Sequence, residues 1–321
     1  MKTGDPLVSV IMLSYNHSQY IEQALNSVLV QKTSFPFEVL IGDDNSGDGS
    51  QEILKKYKKK YPNIIRLFLH KENLGVTKNA YFLMCKARGK YLASCESDDF
   101  WTNDYKLRIQ VEFLEAHSEF IGCTHPVKCV DKEGMEANNQ NIQWISKNKV
   151  YTINNFRGLV LPGHSCSVVR RNIFLNPKYD YSVMWKANRN IGDRTSALLF
   201  AAQGDFYRLS QPMACYRVYS DGNSGSVTWN LYHNTDWINS ELRYTNILDS
   251  YSKETFKINA GFEYYRRELL ISAIWKMFTF PNKKNVRTIV NVVKSFDNPL
   301  LSLSLFPLLV IKKIIKKFME R

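Results

Sequence analysis

Over the first hundred residues, short apolar runs alternate with stretches of helical spacing, and each run ends in a polar cluster. Residues 7–13 are β-rich and break at Ser14-Tyr15-Asn16-His17-Ser18. Ile21, Leu25, Val28 and Leu29 then recur at helical spacing, with Ser18 placed to cap the helix they predict. The pattern repeats as a strand over 37–41, an Asp- and Gly-rich turn over 42–50 and a basic amphipathic helix to about Lys60. A third strand follows over 64–69. Glu72-Asn73-Leu74-Gly75 leads into a helix that runs through Ala87, with Gly89 as its C-terminal cap, and a fourth strand covers 91–95. Strand and helix alternating at this pace predict an α/β fold, a parallel sheet with helices on both faces.

In such sheets ligands sit beyond the carboxyl ends of the strands. Ser14-Tyr15-Asn16, Asp43-Asp44 and Glu96-Ser97-Asp98 each follow a strand directly, so a parallel sheet gathers them along one edge. Glu96 and Asp98 are two apart, point the same way in an extended chain, and can grip one hard cation. The competing reading is a solvated acidic loop that merely ends a strand. No Gly-x-Gly-x-x-Gly or Walker lysine loop opens a helix, which disfavours a dinucleotide cofactor and a P-loop nucleotide. An acidic edge without a phosphate-cradling loop suggests a metal bridging the protein to a nucleotide's phosphates.

Composition narrows this picture. A chain of 321 residues with 44% hydrophobic content can bury one large core or two small ones. Its six cysteines lack C-x-x-C spacing, which supports neither zinc nor a disulfide framework and fits a reducing cytosol. The first apolar run has no cleavage site, and no apolar stretch reaches the length of a membrane span, so a cytoplasmic location is expected. The net charge of +13 calls for an anionic partner. The lysine runs at 55–60 and 312–317 lack the pattern of a base-stacking surface, so nucleic acid is not expected.

Four motifs together resemble family 2 glycosyltransferases over roughly residues 7–220. They are the run from Val8 to Asn16, Asp43-Asp44-Asn45-Ser46, Asn73-Leu74-Gly75 with Asn79, and Glu96-Ser97-Asp98-Asp99. The resemblance implies a GT-A fold, a Rossmann-like nucleotide-binding sheet, over residues 1–228, with a nucleotide half over 1–100 and an acceptor half over 101–228. A helical extension over 229–321 would follow. It also implies inverting transfer from a nucleotide-diphosphate sugar to a glycan or lipid-linked glycan, as in bacterial surface-polysaccharide synthesis.

By the same resemblance, Tyr15 and Asp44, with Asp43, Ser14 and Asn16 beside them, would hold the base. A carboxylate accepting the ring N–H favours uracil. Lys78 and Asn79 would reach the ribose or diphosphate. Asp98, with Glu96, would hold Mn²⁺ or Mg²⁺, and the intervening Ser97 would join the residues that bind the donor. Asp193, ahead of a helical run at 195–202, would be the general base, its alternative role being a helix N-cap. Arg217 belongs to a segment, Cys215-Tyr216-Arg217-Val218-Tyr219 with 223–226, similar to a loop that closes over the diphosphate. His164, in a strand-like run over 163–170, faces either the acceptor or the core. The chain departs from the family pattern at Glu96, where Asp is usual, at Gly192, where Glu is usual, and at Tyr219, where His is frequent.

Helices are predicted over 262–280 and 285–296. At the end, Ile311, Ile314, Ile315 and Phe318 share one helical face, flanked by Lys312, Lys313, Lys316 and Lys317. A helix of this kind over 307–319 either lies on an anionic membrane surface, placing the protein on the inner face of the cytoplasmic membrane, or packs on the protein. Two other functional classes remain: a nucleotidyltransferase with a metal–nucleotide site, and a degenerate glycan- or membrane-binding module.

Overall fold

The computed structural model describes residues 5–137, 142, 144–218 and 236–299. The chain forms two compact units, one of residues 1–156 and 160–227 and the other of 157–159 and 228–321.

In the first unit, β1 (Val8–Ser14), α1 (Ile21–Leu29), β2 (Phe37–Asp43), α2 (Ser50–Lys60), β3 (Ile65–Leu69), α3 (Val76–Lys86) and β4 (Tyr91–Ser94) alternate as expected. The four strands pair in parallel in the order β3-β2-β1-β4. Strand β1 is covered on both faces, which is why its apolar residues Val10 to Leu13 follow one another without alternation. Val8, Val10 and Met12 pack with Ile21, Leu25 and Val28 of α1, whereas Ile11 and Leu13 face Ala80 and Met84 of α3.

The chain continues through β5 (Phe100–Trp101), α4 (Lys106–Ala116), β6 (Phe120–Thr124), β7 (Lys128–Val130), β8 (Val150–Tyr151) and α5 (Ile153–Phe156). After these come β9 (Val169–Arg171), α6 (Val183–Lys186), α7 (Asp193–Ala201), β10 (Asp205–Arg208) and β11 (Ala214–Arg217). The sheet grows to eight strands in the order β3-β2-β1-β4-β9-β6-β10-β8. Strand β9 runs antiparallel between β4 and β6, and β8 is antiparallel to β10, so the sheet is mixed but mostly parallel. A small second sheet, β5-β11-β7, sets Trp101 into the core, where its indole N–H donates to the Cys166 carbonyl at 3.0 Å.

Several local expectations are corrected. Ser18 does not cap α1. Its backbone N–H donates to Asp48, and the first turn is closed by backbone bonds from Tyr20 and Ile21 to the His17 carbonyl. Gly89 does not cap α3, which ends at an extended Ala87. A Cβ on Gly89 would stand 2.5 Å from the Ser9 nitrogen, so glycine is required there because the chain passes against β1. The turn expected from Gly42 starts later, since Gly42 and Asp43 still pair with β1 and β3. Residues 163–170 are a strand only at their end, because Ser165–Ser167 forms a 3₁₀ turn closed by the His164 carbonyl.

The second unit holds the helices Trp237–Tyr251, Phe262–Thr279 and Lys283–Lys294; the last two lie close to the spans read from the sequence, and the first had no span assigned. Ile238, Leu242, Leu269, Leu270, Val292 and Phe296 make its core. The amphipathic segment at 307–319, Tyr219 and residues 223–226 lie outside the described residues. Among the described residues no helix is long and apolar enough to cross a membrane.

Candidate active site

The ends of β1, β2 and β4 meet through short bonds that fix the polar turns. Asp44 N–H donates to the Ser14 carbonyl, Ser97 N–H to the Leu13 carbonyl, and Asn16 N–H to Ser46 Oγ at 2.9 Å. Asn16 itself sits at a φ of 54°, a left-handed conformation that asparagine tolerates. Its side-chain oxygen accepts from Gly47 N–H. Tyr15, between two tied residues, stands 47% exposed at this edge.

Glu96, Asp98 and Asp99 follow β4, and each offers a carboxylate oxygen within 4.8 Å of the other two. Among the described residues, no lysine or arginine side chain is hydrogen-bonded to Glu96 or Asp99. Asp99 Oδ1 accepts the Arg217 N–H at 3.0 Å, while its buried Oδ2 has no hydrogen-bond partner. Burial first, then the charges of Asp193 and Asp98, push Glu96 up to about 8, against a hydrogen bond from Ser165. Burial and the neighbouring Asp98 and Glu96 also hold Asp99 well above the usual carboxylate range. Three crowded carboxyl groups and an orphaned buried oxygen fit a hard divalent cation, which would offset the repulsion.

Asp193 is the first residue of α7 and not its cap, which falls on Gly192. The loop before α7 is fastened to the start of α3. Thr77 donates its hydroxyl to the Asn188 carbonyl at 2.8 Å and its N–H to the Arg189 carbonyl at 3.2 Å. Gly75, at a φ of 88°, allows this approach, since a Cβ there would meet the Arg189 side chain at 2.5 Å. The loop thereby delivers Asp193 to a pocket that Glu96, Ser165, Arg170 and Thr77 also line. Asp193 is exposed at the mouth of this pocket, yet desolvation by the surrounding protein raises its proton affinity, and the Arg170 and Arg194 charges oppose the rise. Arg170 lies 4.2 Å over the Phe200 ring and donates to Ser196 Oγ at 2.8 Å, with its buried Nε–H unpartnered.

The structure redistributes the remaining expected contacts. Asp43 is fully buried, and its four acceptor positions take Ser14 Oγ, Ser46 N–H, Ser46 Oγ and the Gln51 amide, leaving none for a base. Asp44 accepts the Leu74 and Gly75 N–H groups at the entry to α3, one on each oxygen. Asn79 is buried between β2 and α3, donating to the Gly42 carbonyl and paired through Oδ1 with His70, so it does not reach a ribose. Lys78 is exposed and lies 5.6 Å from the Trp185 ring.

Ser97 is buried, with its hydroxyl 2.7 Å from His17 Nδ1. Arg217 is not a loop residue free to close on a diphosphate. It is 2% exposed, stacks 4.3 Å from the Tyr20 ring, and donates to the carbonyls of Asp98, Asp131 and Lys132 and to Gln23. His164 belongs to the core. It packs 4.0 Å from Tyr216, and burial lowers its pKa to about 3, so it stays neutral.

The sequence reading missed His17, Ser165, Arg170 and the inward carboxylate of Asp99. His17 carried a signal, since it lies in the turn after β1, and its Nε2 stands 3.9 Å from Asp98. Arg170 carried none, because an arginine closing an apolar strand reads as an ordinary surface residue.

Known proteins are similar to this chain in sequence and in fold. An uncharacterised protein of Mycobacterium tuberculosis is 42% identical over 127 residues, covering 40% of this chain and 37% of its own length. The putative teichuronic acid biosynthesis glycosyltransferase TuaG of Bacillus subtilis is 42% identical over 119 residues, covering 37% of this chain and 46% of TuaG. The chain thus spans less than half the length of these curated relatives. The crystal structure of S. aureus TarS 1–349 in complex with UDP superposes with a TM-score of 0.66 at 19% identity, covering 96% of this chain and 87% of that one. That likeness gives the fold, a GT-A sheet. The glycosyl transferase family 2 model matches residues 9–176, a segment that takes in β1 from its second residue, the whole of β2, β3 and β4, and the whole acidic run. The chain belongs to glycosyl transferase family 2.

Proposed function

We propose that this chain is a divalent-metal-dependent, inverting glycosyltransferase that moves a sugar from a UDP-linked donor to a hydroxyl of a glycan, free or lipid-linked. One observation carries the reading. A carboxylate with raised proton affinity, Asp193, lines a pocket with Glu96 at the edge of a three-carboxylate cluster. TarS, which binds UDP, supports the choice of donor nucleotide, and TuaG supports a surface-polymer acceptor.

Asp193 accepts the proton as the acceptor oxygen bonds to the anomeric carbon and the bond from that carbon to the diphosphate breaks. Desolvation by the surrounding pocket wall raises the basicity of Asp193, and the Arg170 and Arg194 charges limit the rise. Asp98 and Glu96, with Asp99 behind them, would hold Mn²⁺ or Mg²⁺, whose positive charge offsets that of the departing diphosphate. Tyr15 presents an exposed ring for the uracil, and Asp44, with a second lone pair on each oxygen, supports the same turn.

The test is donor binding and transfer across UDP-, GDP- and dTDP-sugars, with Mn²⁺, Mg²⁺ or EDTA, for the native chain and Asp193→Asn. Native transfer should require metal and select one UDP-sugar. The variant should bind UDP as before and lose about 10²–10⁴-fold in turnover. Transfer by Asp193→Asn at the native rate would remove Asp193 from the mechanism, and metal-independent transfer would remove the cation.

A further inference from the structure

In the second unit, the helix Phe262–Thr279 turns Phe262, Tyr265, Leu269, Leu270 and Ala273 inward. Its outer stripe is polar at first and then apolar. Ile271, Trp275 and Phe278 follow one another at intervals of four and three and so share a face. Trp275 is 68% exposed, Phe278 79%, and Phe280, just past the helix, 68%. Three large aromatics at one helix end with most of their surface in water form a patch that a soluble monomer ordinarily avoids.

The charge around the patch has one sign. From Leu269 to Phe296 the sequence carries Lys276, Lys283, Lys284, Arg287 and Lys294, and no carboxylate at all. Lys283 and Lys284 open the next helix directly beyond Phe280 and Pro281, and both are exposed. Lys284 approaches Asp236 only at 3.9 Å. That next helix also leaves Val286 and Val290 exposed on its outer side.

We propose that the turn from Trp275 to Lys284 is a membrane-docking element that takes an anionic phospholipid surface. The aromatic rings enter the boundary between headgroups and acyl chains, and the flanking cations meet lipid phosphates. Charge complementarity favours lipid over a second copy of the chain, since a two-fold contact would set this all-basic patch against itself. The element is a different stretch of sequence from residues 307–319 and is independent of the transfer chemistry assigned to Asp193.

The full chain is sedimented with vesicles of phosphatidylcholine alone and of phosphatidylcholine mixed with phosphatidylglycerol. It should bind the mixed vesicles, weaken with salt, and ignore the neutral ones. Trp275→Ser/Phe278→Ser/Phe280→Ser should lower the partition coefficient at least about tenfold while binding UDP normally, which shows the variant to be folded. Bromine-labelled lipid should quench tryptophan fluorescence in the native chain, and Trp275→Phe should lose that quench. Absence of native binding, or equal binding by the triple variant, would overturn the proposal. So would binding that fails only in Lys312→Gln/Lys313→Gln/Lys316→Gln/Lys317→Gln, which would move the contact to that segment. Loss of a dimer, without change in lipid binding, would assign the patch to a second copy.

Discussion

The central parallel strands carry buried carboxylates at both ends and treat them in opposite ways. Near the amino ends, Glu38 of β2 is 2% exposed and fully engaged. It accepts Ser9 Oγ at 2.7 Å, Arg88 through its backbone N–H and guanidinium, and Arg66 at 3.0 Å. Burial alone would raise its pKa, yet the bonds from Arg88, Ser9 and Arg66 more than cancel that and hold it low. At the carboxyl ends, Glu96 and Asp99 crowd against Asp98 and are pushed up, and arginine charge opposes the rise only at Asp193. A carboxylate whose acceptors are filled by cations holds the sheet together. Carboxylates left in mutual repulsion mark where a cation and a proton are to be handled.

The strongest way to break this contrast is to remove Glu38. Glu38→Ala strands the Ser9 hydroxyl and the Arg88 N–H and deprives two guanidinium groups of their shared partner. Arg66 and Arg88 are 30% and 57% exposed, so both can turn to water, which sets the loss at the lower end for a buried ion pair. Denaturant unfolding should register a destabilisation of about 3 kcal/mol. UDP affinity of the folded fraction should not change. A drop in UDP affinity at unchanged stability would mean that the two ends are not divided in this way.

Much of this contrast was legible in the sequence, because the strand–helix alternation fixes which residues gather at the carboxyl edge. Periodicity gave the four parallel strands β1 to β4, though not their order, and placed Ser14, Asp44 and Asp98 on one side. What it could not give was how each polar side chain is used once there. Asp43 and Asp44 are adjacent and chemically identical, yet one is saturated by Ser14, Ser46 and Gln51 and the other reaches across to the entry of α3. Asn79 and Arg217 looked like ligands because they are polar and near motifs, whereas the fold buries both as ties between elements. Gly89 looked like a helix cap because the close approach of β1 that requires it is a tertiary fact. The antiparallel β9, which carries Arg170 into the pocket, lies in a stretch whose alternation gave no strand direction.

A smaller effect of opposite sign sharpens the contrast at the acidic end. In EDTA, Glu96→Gln removes a like charge without changing shape, so it should stabilise the protein where Glu38→Ala weakens it. The pH dependence gives the signature. Glu96 has a folded pKa raised to about 8 from 4.5, so its contribution is fully present below pH 4.5 and is lost as pH rises through about 8. Native and Glu96→Gln chains should therefore be equally stable near pH 4.5. The variant's advantage should then grow to about 2 kcal/mol by pH 8, a figure discounted from the full shift because Glu96 is partly open to solvent and coupled to its neighbours. Glu38 has the opposite sign, its depressed pKa giving stability above pH 4.5 that is lost as pH falls through the folded value. With saturating Mn²⁺ the order at pH 8 should reverse, because a ligand that binds only the folded native site stabilises it. A Glu96→Gln advantage that is flat from pH 4.5 to pH 8, and unaltered by Mn²⁺, would show that the acidic cluster is ordinary solvated charge.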